Sequence, residues 1–355
     1  MKTKILTILR NSEEYVSGQD LCIQLGVSRT AVWKVINQLK EEGYIIEAIQ
    51  NKGYKLLHDP DLLGESGLKS RLSTKWTGSE IFYKDETGST NADAKRLAEE
   101  GSAHGTVTLA NVQKDGRGRR GRNWNSPGGS NIYFSLLLRP DFSPVNAPGL
   151  TLVMALSVTE AIENLCNENG CYENCSGENI CNENLCNENC SGENLCNKSV
   201  LIKWPNDIVI NGKKICGILT EMNAEMDFIH YVVVGVGINV NQEEFPEDLM
   251  FASSLLKEFE KKFSRTELIA DILERFEINY ETYNLSGNME LLMEKYNQHL
   301  ANKNNQVRVL DQKEEFQGVA LDINENGELL VKKSNGTIEK IFAGEVSVRG
   351  IYGYI

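Results

Sequence analysis

Gly116-Arg117-Gly118-Arg119-Arg120-Gly121-Arg122, continued by Asn123-Trp124-Asn125-Ser126-Pro127-Gly128-Gly129, is the stretch on which the fold assignment turns. Its spacing matches G-x-G-x-x-G. In a dinucleotide-binding domain that fingerprint opens a helix directly after a strand, because the helix N-terminus holds the pyrophosphate. Here a Trp, a Pro and two more glycines follow, and they cannot continue a helix. A dinucleotide fold is therefore rejected, and the stretch reads as a flexible loop carrying four guanidiniums. Guanidiniums suit phosphates and carboxylates through bidentate hydrogen bonds. A basic surface loop or nucleic-acid patch is the alternative; the glycine spacing and Trp124 favour a clamp on an anionic ligand. A P-loop ATPase is not expected, because no G-x-x-x-x-G-K-[ST] occurs.

Outward from this loop, residues 65–300 mix strands and helices. ETGSTNADAKRLAEEG (86–101) reads as a loop feeding a helix that begins near Asn91, and TVTLANVQ (106–113) as a strand. NIYFSLLLRP (131–140) is a strand ended by Pro140, and Leu150–Ile162 is the longest apolar helix candidate. LIKWPNDIVI (201–210) and KKICGILTEM (213–222) read as two strands joined at Asn211-Gly212, a strong hairpin signal. YVVVGVGINVN (231–241) reads as a buried strand. This order predicts a mixed sheet with packed helices. Lys203 lies on a strand, just before the constrained Pro205. Beside a mobile arginine loop it is a candidate to neutralise a carboxylate and an α-phosphate together.

Residues 1–60 have a different character. Ile5, Leu6, Ile8 and Leu9 give a short apolar-faced helix, and Ser17 with Asp20 makes a capping pattern. Gly26 breaks the second helix and Ser28 can cap a third, in which Val32, Val35, Ile36 and Leu39 recur at helical spacing. Two short helices joined at Leu25-Gly26-Val27-Ser28, then a hairpin around Asn51-Lys52-Gly53, predict a winged helix-turn-helix. Arg29, Thr30 and Lys34 would face the major groove, and Lys52 and Lys55 would meet phosphates. A winged helix used only for protein contacts is the alternative. One such unit offers little area, so a dimer on two half-sites is expected.

Residues 163–197 are seven pentapeptides, each opening with Glu-Asn and containing one Cys. A period of five matches neither helix nor strand, so no apolar face forms. The reading is a tandem expansion forming a mobile surface loop, with a soft-metal or redox site as the alternative. The segment also distorts the composition. It holds seven of the nine cysteines and seven of the thirteen excess negative charges, leaving −6 on the rest. Residues 1–58 carry eight Lys/Arg against six Asp/Glu, so overall acidity does not exclude nucleic acid there. Cys22 and Cys216 lie in apolar surroundings and read as buried thiols. A length of 355 residues predicts two or three domains. Neither a bilayer-spanning run nor a signal peptide is read, so a cytoplasmic protein is expected.

Gly88-Ser89-Thr90-Asn91, Gln113-Lys114-Asp115 leading into GRGRRGRNWNSP, KWPNDI, CGIL-T-E and GVGINVN occur in one order over about 150 residues. In these motifs the chain resembles the bifunctional biotin–protein ligases that are also biotin operon repressors, and apart from the pentapeptides the resemblance covers nearly all of it. It implies a multidomain α+β protein: a winged helix-turn-helix (1–60), a mixed-sheet ligase domain resembling the class II synthetase fold (65–300), and an SH3-like β-barrel (301–355). VRVLD, FQGVALDI, ELLVKK and TIEKIFAGEVSVRG are the strand candidates of that barrel. Whether it only stabilises the core or acts on ATP or the carrier stays open.

The implied reaction joins biotin to MgATP as biotinyl-5′-AMP, then passes biotin to a lysine of a biotin carboxyl carrier protein; no permanent metal is implied. By resemblance, Ser89, Thr90, Asn91, Gln113, Arg117, Gly118, Arg119, Gly217 and Leu219 would meet biotin. Arg119, Arg122, Trp124 and Asn239 would meet the adenylate, and Lys203 would stand between carboxylate and α-phosphate, acting in catalysis with Arg119. Operator DNA and a homodimer formed with the adenylate are the further implied partners. The alternatives are a ligand-sensing DNA-binding regulator without ligase activity, and a lipoate-type ligase. Intact Lys203 and the arginine loop argue against the first; GRGRRGRNW and KWPND favour biotin over lipoate.

Overall fold

The computed structural model describes residues 1–168, 199–310, 315–343, 347–350 and 354. The chain divides into two compact units, residues 1–73 with 264–270, and residues 74–263 with 271–355.

The first unit begins with three helices, α1 (Lys2–Arg10), α2 (Gly18–Leu25) and α3 (Arg29–Glu41). Ser17 caps α2 by accepting from the Asp20 N–H at 3.0 Å, and Ser28 caps α3 from Ala31 at 3.3 Å. Gly26 ends α2 in the left-handed region, at φ 66°, where a side chain is disfavoured. Ile5, Leu6, Leu9, Leu21, Val32, Val35, Ile36 and Leu39 close one core under the antiparallel pair β1 (Ile45–Ile49) and β2 (Gly53–His58). Each such side chain contributes about 1.5–3 kcal/mol when fully buried, against the entropy of ordering the chain. The short helix α4 (Glu65–Lys69) follows, and Asp59 pairs with both Arg10 and Arg71.

The second unit holds a seven-stranded sheet of β3 (Ile81–Thr87), β4 (Val107–Gln113), β5 (Ile132–Leu138), β6 (Val200–Lys203), β7 (Asp207–Ile210), β8 (Lys213–Ala224) and β9 (Ile229–Ile238), in the order β3-β4-β5-β9-β8-β7-β6. Only β3 and β4 pair in parallel, joined through α5 (Thr90–Glu99); the other pairs are antiparallel. Helix α5 packs on β4, β5 and β9, and α6 (Gly149–Glu168) on β6 to β9. The stretch containing α6 is long and apolar enough to cross a bilayer, yet it is mostly buried inside the protein, as a core helix is. Helices α7 (Leu255–Phe259), α8 (Arg265–Ser286) and α9 (Met293–Gln298) follow.

Three expectations change. LIKWPNDIVI is not one strand: the chain reverses at Trp204-Pro205-Asn206, so β6 and β7 pair with Lys203 opposite Asp207. Pro205 has no N–H to give a ladder and breaks the strand there. The first residues of the expected loop, from Glu163, are helical instead: α6 runs on to Glu168, with Leu165 and Cys166 buried. Asn164 donates to Asp271, and Glu163 pairs with His299. Tertiary burial thus recruits the first pentapeptide into a helix that its period does not predict. The pentapeptides beyond lie outside the described residues. Finally, β10 (Gln306–Leu310), β11 (Glu315–Ile323), β12 (Leu329–Lys333), β13 (Ile338–Ile341) and β14 (Ser347–Gly350) form a five-stranded antiparallel sheet, β13-β12-β11-β10-β14. Among the described residues its outer strands do not pair, so it is an open sheet rather than a closed barrel.

Candidate functional site

A run of glycines builds the floor of the site. In the β8–β9 ladder Gly217 lies opposite Gly237, and Leu219 opposite Gly235. A Cβ on Gly235 would fall 2.0 Å from Asn91 Oδ1; one on Gly237 would fall 2.5 Å from Trp124 Nε1. Glycine in a strand costs local stability, and here it lets an amide and an indole lie directly on the sheet.

The rim comes from the start of α5. Ser89 is its N-cap residue without a side-chain cap bond, so its hydroxyl is not engaged by the helix. Gln113 Oε1 accepts from the Thr90 N–H at 2.9 Å and from Thr90 Oγ1 at 3.1 Å, while its Nε2 donates to Ser126 at 3.1 Å. Asn91 Nδ2 donates to Glu221 at 2.7 Å, and Ser135 Oγ donates to Asn91 Oδ1 at 2.6 Å. This network fixes the amide and hydroxyl groups without burying them from the cleft.

The arginine loop folds back on itself. Gly118 N–H donates to Arg122 O at 2.7 Å, Trp124 N–H to Gly116 O at 2.8 Å, and Arg120 takes a left-handed backbone, φ 57°. The geometry aims Arg119 inward: it donates to Asn206 Oδ1 at 2.9 Å and to Ala343 O at 2.6 Å. Burial lowers its pKa from the ordinary value. Arg117, Arg120 and Arg122 are exposed.

Two cavities meet here. A narrow cleft of about 50 Å³ is lined by Ser89, Thr90, Asn91, Gln113, Arg117 and Gly118, and by Gly217 and Leu219 from the floor. A larger cavity of about 600 Å³ is lined by Arg122, Lys203, Asp207, Asn239, Phe251 and Tyr354. Gly118, Arg119, Trp124, Asn206 and Lys214 line both. Lys203 lines only the larger one; it is 7% exposed, with Nζ 3.4 Å from the centre of the Tyr354 ring. The lysine at the junction is Lys214, paired with Asp207 at 2.6 Å and 5.2 Å from the centre of the Trp124 ring. Sequence reasoning missed it. Burial alone would raise the Asp207 pKa, but Lys214, the Tyr354 hydroxyl and Lys203 outweigh burial and hold it below the usual range. Cys216 is buried beside them, and desolvation drives its thiol pKa upward, so it is no nucleophile.

In the first unit, Arg29, Thr30 and Lys34 are all exposed on α3 with Trp33, and Arg29 donates to Gln19. The hairpin lysines are held from below: Lys52 and Lys55 each lie 5.8 Å from the centre of the Tyr15 ring.

Residues 84–239 match the biotin/lipoate A/B protein ligase family, 2–55 match an HTH domain and 304–349 match the biotin protein ligase C-terminal domain. The bifunctional ligase/repressor BirA of Bacillus subtilis (strain 168) is 38% identical over 340 residues, covering 94% of each chain. The chain belongs to the BirA family of bifunctional ligase/repressors. BirA of Escherichia coli (strain K12) is 28% identical over 98% of this chain and 96% of its own. Among solved structures, the biotin protein ligase of Aquifex aeolicus in complex with biotin and ATP aligns with a TM-score of 0.60 at 28% identity, covering 77% of this chain and 99% of that one. The BirA family thus spans both units, the helix-turn-helix as well as the ligase core.

Proposed function

We propose that this chain joins biotin to a lysine of a biotin carboxyl carrier protein through biotinyl-5′-AMP, using MgATP, and that the adenylate promotes binding of a homodimer to operator DNA. The observation that carries the reading is the junction of two unlike cavities at Lys214, Arg119 and Trp124. The cleft offers the hydroxyls and amides of Ser89, Thr90, Asn91 and Gln113, suited to a neutral polar ring system. The larger cavity offers cations and the volume of a nucleotide site. The cleft is narrow, about 50 Å³, and a shift of residues 116–124 on biotin binding would widen it.

At the junction, Lys214 and Arg119 offset the repulsion between the biotin carboxylate and the α-phosphate. A carboxylate oxygen bonds to the α-phosphorus as the bond to the bridging oxygen breaks, and pyrophosphate leaves. Lys203 and Arg122, facing only the larger cavity, serve the phosphates. Trp124 Nε1, buried with no hydrogen-bond partner among the described residues, is a donor suited to an adenylate oxygen. The carrier's amine then attacks the acyl carbon, AMP leaves, and the amine proton passes to solvent.

The test is ATP–pyrophosphate exchange with biotin and then with lipoate. Exchange with lipoate alone reassigns the substrate; none with either leaves a ligand-sensing regulator. For the DNA function, Arg29, Thr30 and Lys34 on α3 and Lys52 and Lys55 on the hairpin supply the groove and phosphate contacts. Operator affinity at fixed salt should rise with a non-hydrolysable biotinyl-adenylate analogue.

A further inference from the structure

Tyr354 follows β14, outside the central sheet, yet it lines the larger cavity. Its hydroxyl donates to Asp207 Oδ2 at 2.6 Å, while Asp207 Oδ1 pairs with Lys214 at 2.6 Å. The same ring lies 3.4 Å from Lys203 Nζ and stacks on Phe251, centroids 5.7 Å apart at 27°. One side chain thus touches the partner of one lysine and covers the other. We infer that Tyr354 is a positioning residue for adenylate formation, its hydroxyl setting Lys214 through Asp207 and its ring setting Lys203.

The geometry divides these roles between two parts of one side chain. A carboxylate held at both oxygens has one orientation, so the ammonium on Oδ1 is fixed as well. Without the hydroxyl, Oδ2 loses its donor and the carboxylate turns toward another cation, drawing Lys214 from the junction. The ring acts by a cation–π contact, strongest where water is excluded, and Lys203 is buried. Tyr354 is a wall and not a stopper, because about 600 Å³ stays open with the ring in place.

This inference rests on the site being an adenylating one, and the experiment separates the two. Full-length wild type, Tyr354→Phe and Tyr354→Leu are compared in biotin-dependent pyrophosphate exchange over a range of ATP, with affinity for biotin amide, which lacks the carboxylate that Lys214 faces, measured without ATP. No exchange by the wild type refutes the adenylating reading itself. With an active wild type, Tyr354→Phe should lower kcat about tenfold with KM for ATP unchanged, since one bond to a charged group is lost and the ring stays. Tyr354→Leu should also raise KM for ATP, about tenfold. Affinity for the amide should stay at the wild-type value in both. A Phe variant equal to wild type overturns the inference. So does faster exchange at lower KM in both variants, the mark of a stopper, and so does a parallel loss of affinity for the amide, the mark of a merely structural role.

Discussion

Lys214→Ala removes the cation at the junction and strands its partner, and the two effects have separate sizes. On the rate, losing one preorganised group that stabilises developing negative charge costs about 10²–10³-fold. On stability, breaking a fully buried ion pair by removing one partner costs about 3–5 kcal/mol. Here the Lys214 and Asp207 side chains are 25% and 13% exposed, and Tyr354 and Lys203 still face the carboxylate. About 1–2 kcal/mol is therefore expected after that compensation. The pH dependence has a definite sign. Asp207 is held below its ordinary value of 3.8 in the folded wild type, so its stabilisation is present above that value and fades as pH falls through the folded pKa. In the variant, burial acts with one cation fewer, and the carboxyl titrates at higher pH. The stability gap between the two proteins should be widest near neutrality and shrink toward acid. Pyrophosphate exchange and thermal melting over pH measure both effects. Exchange within about threefold of wild type, with the melting loss present, would refute the catalytic role and leave Lys214 a structural ion.

Gly237→Ala places a methyl 2.5 Å from Trp124 Nε1 on a backbone that tolerates alanine. It should cost about 1–3 kcal/mol by overpacking and raise KM for both biotin and ATP; unchanged KM values would mean that Trp124 moves aside freely. Deleting residues 169–197 should leave melting and ligation near wild type, whereas deleting 163–197 also removes buried Leu165 and Cys166 and should cost about 2–5 kcal/mol. Equal melting temperatures for the two deletions would contradict the helical role of the first pentapeptide. His299, hydrogen-bonded to Glu163, has a pKa raised above 6.5, so its stabilisation is complete below that value and is lost as pH rises through the folded pKa. His299→Gln should therefore destabilise more at about pH 5.5 than at about pH 8.5, as denaturant titrations would show.

The helix-turn-helix was legible because nothing competes with its local signals. Val32, Val35, Ile36 and Leu39 repeat at the helical period, and the Ser caps and Gly26 fall where the backbone needs them. The arginine loop was legible by exclusion, since Asn123 to Gly129 cannot be a helix. Lys214 was not. In a regular hairpin from Asn211-Gly212, Asp207 would face Cys216; a register shift between Ile208 and Val209 moves it opposite Gly217. Adjacent lysines on a strand give no hint of that bulge. Nor could Tyr354 be read, because its partners, Asp207 and Lys203, lie about 150 residues away in sequence.

Several departures from regular strand chemistry in the second unit gather at one place. Pro205 reverses a strand that its apolar neighbours would continue, which sets Lys203 opposite Asp207. Across the β7–β8 pair, beside its register shift, Lys214 reaches Asp207. Gly217, Gly235 and Gly237 interrupt strands otherwise rich in branched apolar residues, and over them lie Asn91 and Trp124. All seven residues of β5 are buried, and the one polar residue among them, Ser135, points to the same place, donating to Asn91. Such local conflicts cost folding energy and persist where function needs them. Restoring strand propensity at any of these positions would strengthen the ladder and remove a wall of the junction: a valine at 237 would displace the indole, and an unbroken strand through 205 would separate Lys203 from Asp207. The site is built from what the sheet gives up.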